Sequence, residues 1–570
     1  LEGLAYFGSL RRARIKSGKL LLQERISSFN GRKQVAPYRK GRALLCALLL
    51  PLLLPTNIAL AQAPAQDPDT VPVPPPRFDI QRYVVQGNTL LPQTDIDSLL
   101  APHAGTNRDF GDVQRALETL QDRYIERGYT AVRVLIPEQD IRAGTVTIQV
   151  VEATIGKIRI EDNKFFDEAN IRRSVPALRE GTAPNARQLS QQMQIANENP
   201  ARQGRLSLAA SDEETKVDAT LRVTDEKPWR ISTFIDNTGN SATGQFRVGA
   251  GYQHANVWNR DHVFNLQYVT SPTKMNDVTV LGLGYRAPMY GWNGTLEAFA
   301  GHSDVNSGTI QNLFNVSGAG SIFGLRYTQV LPRLDTYEHK LAVGWDYRAF
   351  KSDVTLLGTT GTLVPDITIK PLSVAYSGRL PGTGRDLSFY ASYSHNLPGG
   401  SDGDQAAFNA QRFNASANYW IYRYGAAFTQ ALPQDTLFRA SFSGQYTRDM
   451  LVPGEQFGMG GMDSVRGFSE RETANDLGQR LSLELYSRDF GPGIGDGWRA
   501  RALTFIDTAR GYDRVPARGQ DNGLSSLGVG LRLNQGKALS VRADWAWVWN
   551  AAGARSEGSN KLHFSVAYGF

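Results

Sequence analysis

Between Phe78 and Pro228 the apolar positions follow helical and strand periods in turn, and the order of those periods occurs twice. In the first stretch Phe78 to Val85 reads as a strand. Val113, Leu117, Leu120 and Tyr124 then recur at helical spacing until Gly128 stops the helix, and Val146, Ile148 and Val150 alternate as a half-buried strand does. The second stretch repeats this with Ile158 and Ile160, a helix around Leu189 and Met193 ended by Asn199-Pro200, and a strand carrying Val217, Ala219, Leu221 and Val223. The pattern predicts two copies of one small α+β fold, over 78–153 and 154–228, each made of a strand, two helices and two strands.

After Trp229 the helical period vanishes for 342 residues, replaced by short alternating segments separated by Gly, Asn, Asp and Pro clusters. Leu437 to Tyr446 and Leu481 to Tyr486 are examples, as are Leu539, Val541, Ala543, Trp545, Trp547 and Trp549 set against Ser540, Arg542 and Asp544. One face of each segment is apolar and the other polar. That suits a barrel with lipid outside and water inside, because hydrocarbon leaves no backbone group unpaired and a closed sheet pairs them all without helices. A soluble sandwich alternates too. The C-terminus decides between them: Leu562, Phe564, Val566, Tyr568 and Phe570 alternate with His563, Ser565, Ala567 and Gly569 and end the chain on an aromatic, a barrel signal that a sandwich does not need. Strands of roughly 10 residues divide 229–570 into about sixteen. The expected fold is a transmembrane antiparallel β-barrel preceded by two α+β domains.

The N-terminus bears on where this barrel resides. A basic stretch leads into the apolar run Ala43 to Leu54 and then Ala59-Leu60-Ala61, with small residues at the two positions a signal peptidase reads and Gln62 next. Cleavage after Ala61 is expected, since the apolar run is too short to span a bilayer as a helix. The first methionine is Met193, and residues 1–34 are expected to be an over-extended N-terminus. Residues 62–77, with six prolines between Gln62 and Pro76, read as an extended tether.

Removing 1–61 changes the charge. That segment holds eleven Lys or Arg and two acids, +9 against a whole-chain +7, so the remainder is near −2 and the basicity that would suggest nucleic acid belongs to the targeting region. The single cysteine, Cys46, lies in the signal, which suits passage through an oxidising periplasm. No histidines pair closely, and HExxH, GxSxG and P-loop patterns are absent, so neither enzyme chemistry nor a cofactor or metal is expected. Gly318-Ala319-Gly320 lacks the third glycine of a dinucleotide fingerprint and reads as a turn.

Two motifs are more specific. Phe457 to Phe468 reads FGMGGMDSVRGF and Leu503 to Gly511 reads LTFIDTARG. Together they resemble the signatures of the two-partner secretion transporters, the haemolysin and filamentous-haemagglutinin exporters. His339-Lys340-Leu341, Gly344 to Arg348, Asp236-Asn237 and Thr243-Gly244 resemble further stretches of that family, and the two α+β units resemble its POTRA domains. The resemblance implies that a loop near 457–475 folds back into the barrel. Its Arg466, flanked by Val465, Gly467 and Phe468, would pair with Asp507 on the wall beside Phe505. The family usually has glycine where Ala509 stands. Many members carry an N-terminal helix that plugs the pore, and none is expected between Gln62 and Pro76. The residues support the pairing independently, since Leu503, Phe505 and Asp507 share one strand face. Lipid there would be costly for the Asp away from an interface, an empty wet lumen would misplace the Phe, and a lumen filled by protein suits both.

The implied function is export of a large β-helical exoprotein of adhesin or haemolysin type, by a monomer in the outer membrane with its POTRA domains in the periplasm. The expected partners are that exoprotein, outer-membrane lipid and the barrel assembly machinery, without nucleic acid. The alternatives are a barrel assembly or insertion factor, whose relatives commonly carry three or more POTRA units, and a passive porin, which needs no receptor.

Overall fold

The computed structural model describes residues 76–570 apart from 142–143, 242, 305–307, 311–313, 317–318, 352–365 and 515–521. The cleavage positions Ala59, Ala61 and Gln62, Cys46, and the tether as far as Pro75 lie outside the described residues, as does Gly318.

In the first α+β unit the expected strand from Phe78 to Val85 is two strands. Phe78–Ile80 pairs with Gly105–Arg108, whereas Arg82–Gln86 runs parallel to Thr145–Glu152. The break falls at Gln81, because the N–H groups of Gln81 and Arg82 both turn to the carbonyl of Gly144. Helices Gln93–Leu100 and Phe110–Glu126 cover the sheet. The longer one starts in a reciprocal cap, Asp109 accepting from Asp112 N (3.0 Å) and Asp112 from Asp109 N (3.1 Å). Its fully buried face is Val113, Ala116, Leu120 and Tyr124, with Leu117 at the margin.

The second unit has Thr154–Glu161 parallel to Lys216–Asp225, with Arg202–Ala210 antiparallel on the far side and helices Glu168–Ser174 and Ala186–Ala196 above. The last helix stops before Asn199-Pro200 is reached, because the carboxamide of Asn197 is engaged with the backbone of Gly204. The two units match in side-chain detail. Asn88 donates to Leu91 O and Asn163 to Phe166 O, each at 2.9 Å. Glu152, ending the central strand of one sheet, gathers the N–H groups of Thr89 and Leu90. Asp225, ending that of the other, gathers those of Lys164, Phe165 and Phe166.

Sheet edges differ in how they are closed. On Val132–Leu135 the outward groups Val132 O and Val134 N are taken by the carboxamide of Gln121 (2.9 and 3.0 Å), and beyond that strand Gln139 takes both groups of Thr147. On Arg202–Ala210 the carboxamide of Asn197 closes Gly204 alone. The outward N–H and C=O of Leu206 and Leu208, on the same side of the ladder as those of Gly204, have no partner among the described residues, and the Leu208 side chain is exposed.

From Trp229 on, sixteen antiparallel strands close into a barrel, Trp229–Asp236 pairing with both Arg247–Val257 and Asn560–Gly569. One of the sixteen, ending in Pro371–Gly382, is interrupted at Lys370, whose N–H bonds Asn396 Oδ1 instead of the ladder. The closing pair is short, Ser565 to Gly569 against Asp236 to Ser232, and is extended by the Asn237 carboxamide, which bonds Leu562 O and Phe564 N (2.7 and 2.9 Å). Alternation sets the faces. Trp545, Trp547 and Trp549 point to lipid, as do Tyr568 and Phe570 and, on the same face, Phe564 and Val566. Asp544, Ala546 and Val548 are buried inward.

The second α+β unit is seated on one end of this barrel. Arg202 pairs with Asp261 in a strand connection (2.9 Å), both nearly inaccessible, and Asp261 also accepts from the Tyr290 hydroxyl (2.7 Å). Phe166 and Ile171 pack on Ala255 and Val263, Ile195 packs on Tyr290 and Val330, and Glu198 joins both Arg286 and Lys340. A buried ion pair framed by apolar contacts fixes orientation more than it adds stability.

Candidate functional site

The connection from Thr436–Tyr446 to Leu477–Tyr486 turns into the barrel. Phe457–Met459 pairs with Thr473–Asn475 to make a short hairpin, and the segment beyond it reaches the inner wall. Met459, Val465 and Phe468, fully buried, pack on Ala509, Leu524 and Val548. The inward-facing apolar positions of the wall are therefore the floor for the loop. Ala509, at the position where the resemblance leads one to expect glycine, takes part in this packing.

Arg466 sits at the centre. Its Nε and Nη2 donate to Asp507 Oδ2 and Oδ1 (2.7 and 2.8 Å), and its own backbone N–H adds a third bond to Oδ2 (3.1 Å). Nη1 donates to Glu484 (2.8 Å), and Ser482, itself bonded to Asp507, accepts from Nη2 (3.2 Å). The guanidinium lies 3.5 Å above the ring of Phe505. A planar, weakly hydrated cation bonded at its edge and stacked on its face suits a site with no water to spare. Asp544, 3.6 Å from Arg466, is shared with Arg532 and Arg542, and Arg542 reaches back to the loop at Asp463 Oδ1 and Met462 O (2.5 Å each). Gly467 has φ +98°, and a Cβ there would lie 3.1 Å from Val548 and 3.3 Å from Ala546, so glycine serves both backbone and approach. Its N–H donates to His563 Nε2 (2.9 Å).

A second anchor lies nearer the loop root. Glu455, almost fully buried, accepts from Arg348 (2.6 Å) and Arg423 (3.1 Å), and Arg348 also bonds Asp346 (2.5 Å). Between the loop and the second α+β unit is a cavity of about 1040 Å³ whose walls include Met193, Lys340, Arg439, Arg480 and Glu484.

The structure brings Arg466, Asp507, Phe505, Val465, Gly467 and Phe468 into one cluster. Phe564, Val566, Tyr568 and Phe570 stand apart on the outer face. Ser482, Glu484, Asp544 and His563 were not singled out by sequence. Their only signal is a polar residue on the inward side of an alternating strand, and Asp507 shows the same signal. The other quoted stretches find places as well. His339 bonds the Tyr376 hydroxyl (3.0 Å) and Lys340 meets Glu198, while Arg247 holds the turn at Thr243 and Gly244.

A closed barrel carrying two α+β units at one end and a loop locked inside it defines an outer-membrane transporter of the POTRA and β-barrel class. Residues 214–533 match the model of the haemolysin secretion/activation protein ShlB/FhaC/HecB family, and 78–153 match the ShlB-type POTRA domain. The chain belongs to that haemolysin secretion/activation family, and it resides in the outer membrane with its POTRA domains in the periplasm. It is 24% identical over 425 residues to the outer membrane transporter CdiB of Dickeya dadantii, 72% of each chain. The hemolysin transporter protein ShlB of Serratia marcescens is 24% identical over 433 residues, again 72% of each. The heme/hemopexin transporter protein HuxB of Haemophilus influenzae is 19% identical over 468 residues, 79% of this chain and 80% of that one. The solved structure of CdiB from Escherichia coli superposes with a TM-score of 0.70 at 20% identity, covering 89% of this chain and 93% of that one.

Proposed function

We propose that this protein is the outer-membrane half of a two-partner secretion pair, receiving one large exoprotein of adhesin or haemolysin type in the periplasm and passing it through the barrel unfolded. The observation that carries this reading is the lumen loop. A passive pore does not need a loop held at its tip by a buried, bidentate ion pair, whereas a conduit that must stay shut until a passenger arrives does. Residues 78–153 and 154–228 serve as receptor, and 229–570 as conduit.

Capture is by strand addition: the open stretch at Leu206 and Leu208 offers outward N–H and C=O groups to an extended chain, while Gln121 and Gln139 close the corresponding sites on the first domain. Such pairing reads backbone rather than side chains. The passenger then needs no particular sequence where it binds, and progressive folding outside the cell gives the movement its direction. The working unit is a monomer, placed in lipid by the barrel assembly machinery, and no catalytic step is involved.

The test is to express the chain together with a large β-helical exoprotein, sought in the neighbouring gene, in a strain lacking other transporters of this class. The expected result is exoprotein in the medium, and periplasmic retention when the transporter is omitted. Normal exoprotein export without the transporter, combined with loss of other outer-membrane barrels, would favour the assembly-factor reading instead.

A further inference from the structure

At the barrel end opposite the POTRA domains, the connection 397–419 between Arg385–Asn396 and Trp420–Leu432 packs onto the lumen loop. Its helix Gln405–Gln411 starts at Asp404, whose side chain accepts from Ala407 N (2.8 Å). Gln405 ties down the return stretch through Ala415 O and Ala417 N (2.7 and 2.9 Å). Phe408, Ala415 and Ala417 are buried against Leu451 and Val452, which open the lumen loop, in one apolar cluster with Ile367 and Ile421 of the wall. The two connections thus share a core.

They also share an ion site. Arg412 donates to Leu451 O (2.6 Å) and to both carboxylate oxygens of Asp476, with a longer bond to Asp513 (3.4 Å). Asp476, fully buried, is the last residue of the lumen loop before its return strand, and it also accepts from Leu451 N (3.0 Å) and Arg514 N (2.9 Å). One guanidinium therefore joins the first and last turns of the loop. Met450 O, just before Leu451, accepts from Ser416 N at 3.0 Å.

We propose that Arg412 and residues 397–419 form a clasp on both roots of the lumen loop, so that the loop leaves the barrel only after the clasp opens. The tip lock at Arg466 is 41 residues from its wall partner Asp507 and touches neither root. Releasing it frees the tip and leaves the hairpin held at its base by Arg412, Asp476 and the shared apolar core. Arg412 is thus a positioning residue, acting on the conduit through the loop, and its part in export rests on the function proposed above.

The experiment joins a charge removal to a reversible crosslink. Ser416→Cys with Met450→Cys places two thiols on adjacent chain segments that a backbone hydrogen bond already joins, and formation of the crosslink is verified by its gel shift. Single-channel recordings of the purified barrel in planar bilayers report loop movement, and exoprotein in the medium reports export. Oxidation of the double variant is expected to suppress the large conductance steps and lower export on the order of tenfold, with reductant restoring both, because a covalent clasp removes the open state. Arg412→Ala is expected to raise the occupancy of large conductance steps by at least roughly tenfold, since the Leu451 carbonyl and both Asp476 carboxylate oxygens lose their donor, with Arg412→Lys in between. Equal gating and export by the oxidised and reduced double variant would overturn the clasp, as would unchanged gating in Arg412→Ala. Gating is measured without any passenger, so this arm decides the clasp even if the unaltered chain exports nothing and the secretion reading fails.

Discussion

The backbone N–H of Gly467 donates to His563 Nε2 across 2.9 Å, tying the tip of the lumen loop to the strand that closes the barrel. Together with Asp507, Glu484 and Asp544, that bond makes the tip a junction of several inward-facing wall strands rather than one salt bridge.

Arg466→Ala is expected to impair export more than Asp507→Ala. Losing Arg466 strands Asp507 and deprives Glu484 and Asp544 of a counter-charge, whereas losing Asp507 leaves Arg466 bonded to Glu484. Breaking a buried pair costs about 3–5 kcal/mol. Exchanging the two charges should not restore function, because an aspartate at 466 would face Glu484 and Asp544. Export assays alongside heat-modifiability on gels, which should stay normal, check this.

Gly467→Ala is expected to loosen the loop tip without unfolding the barrel. A left-handed backbone costs a non-glycine residue about 1–2 kcal/mol, and the added methyl presses on Val548 at 3.1 Å. Noisier conductance with unchanged heat-modifiability is the expected result; a quiet, wild-type channel would contradict it.

Deleting 78–153 should abolish export and spare the pore. Deleting 78–228 should also weaken the barrel, since it exposes Ala255 and Val263 and strands Asp261 without Arg202. Arg202→Ala alone should show part of this loss, measured as a lower temperature for conversion of the folded gel band.

Pairing at Leu208 can be tested with Leu208→Pro. The N–H that proline removes points outward, so the ladder to Lys216–Asp225 keeps its bonds. Export should fall while the domain stays folded by circular dichroism. Ser207→Pro, one residue away, removes a ladder bond and should destabilise the domain itself.

The first POTRA domain should lose stability in alkali. Burial, assisted by Asp112 and opposed by Arg108, pushes the Tyr83 hydroxyl up to about 12. A group with a raised folded value stabilises fully below its unfolded value of about 10, and that contribution is lost as pH climbs from there through 12. Far-ultraviolet circular dichroism across this window should show the loss, and Tyr83→Phe should diminish it.

Periodicity conveyed the two α+β units and the run of alternating strands, because strand and helix periods respond to burial on one face, and the aromatic-ended C-terminus identified those strands as a barrel rather than a sandwich. The split at Gln81 escaped it, since that break comes from Gly144, far along the chain and invisible to a local pattern. Asp507 was legible through the resemblance of its motif LTFIDTARG to a transporter signature, and its strand neighbours Phe505 and Leu503 supported the choice. Glu484, Asp544 and His563 sit on ordinary alternating strands, and which inward polar residues meet at one point depends on barrel register and stagger. The clasp at Arg412 was illegible for the same reason: its partners Leu451 and Asp476 are joined to it only through the fold.

The short open stretch at Leu206 and Leu208 also bears on how long a passenger stays. A backbone hydrogen bond contributes about 0.5–1.5 kcal/mol net, so a chain paired along so short a stretch would be held weakly and leave quickly. A longer edge would grip harder and turn the receptor into a storage site. Side-chain amides seal Gly204 and the first domain's edge, and under the strand-addition capture proposed above that would trade residence time for throughput, each captured segment leaving soon enough for the next to take its place.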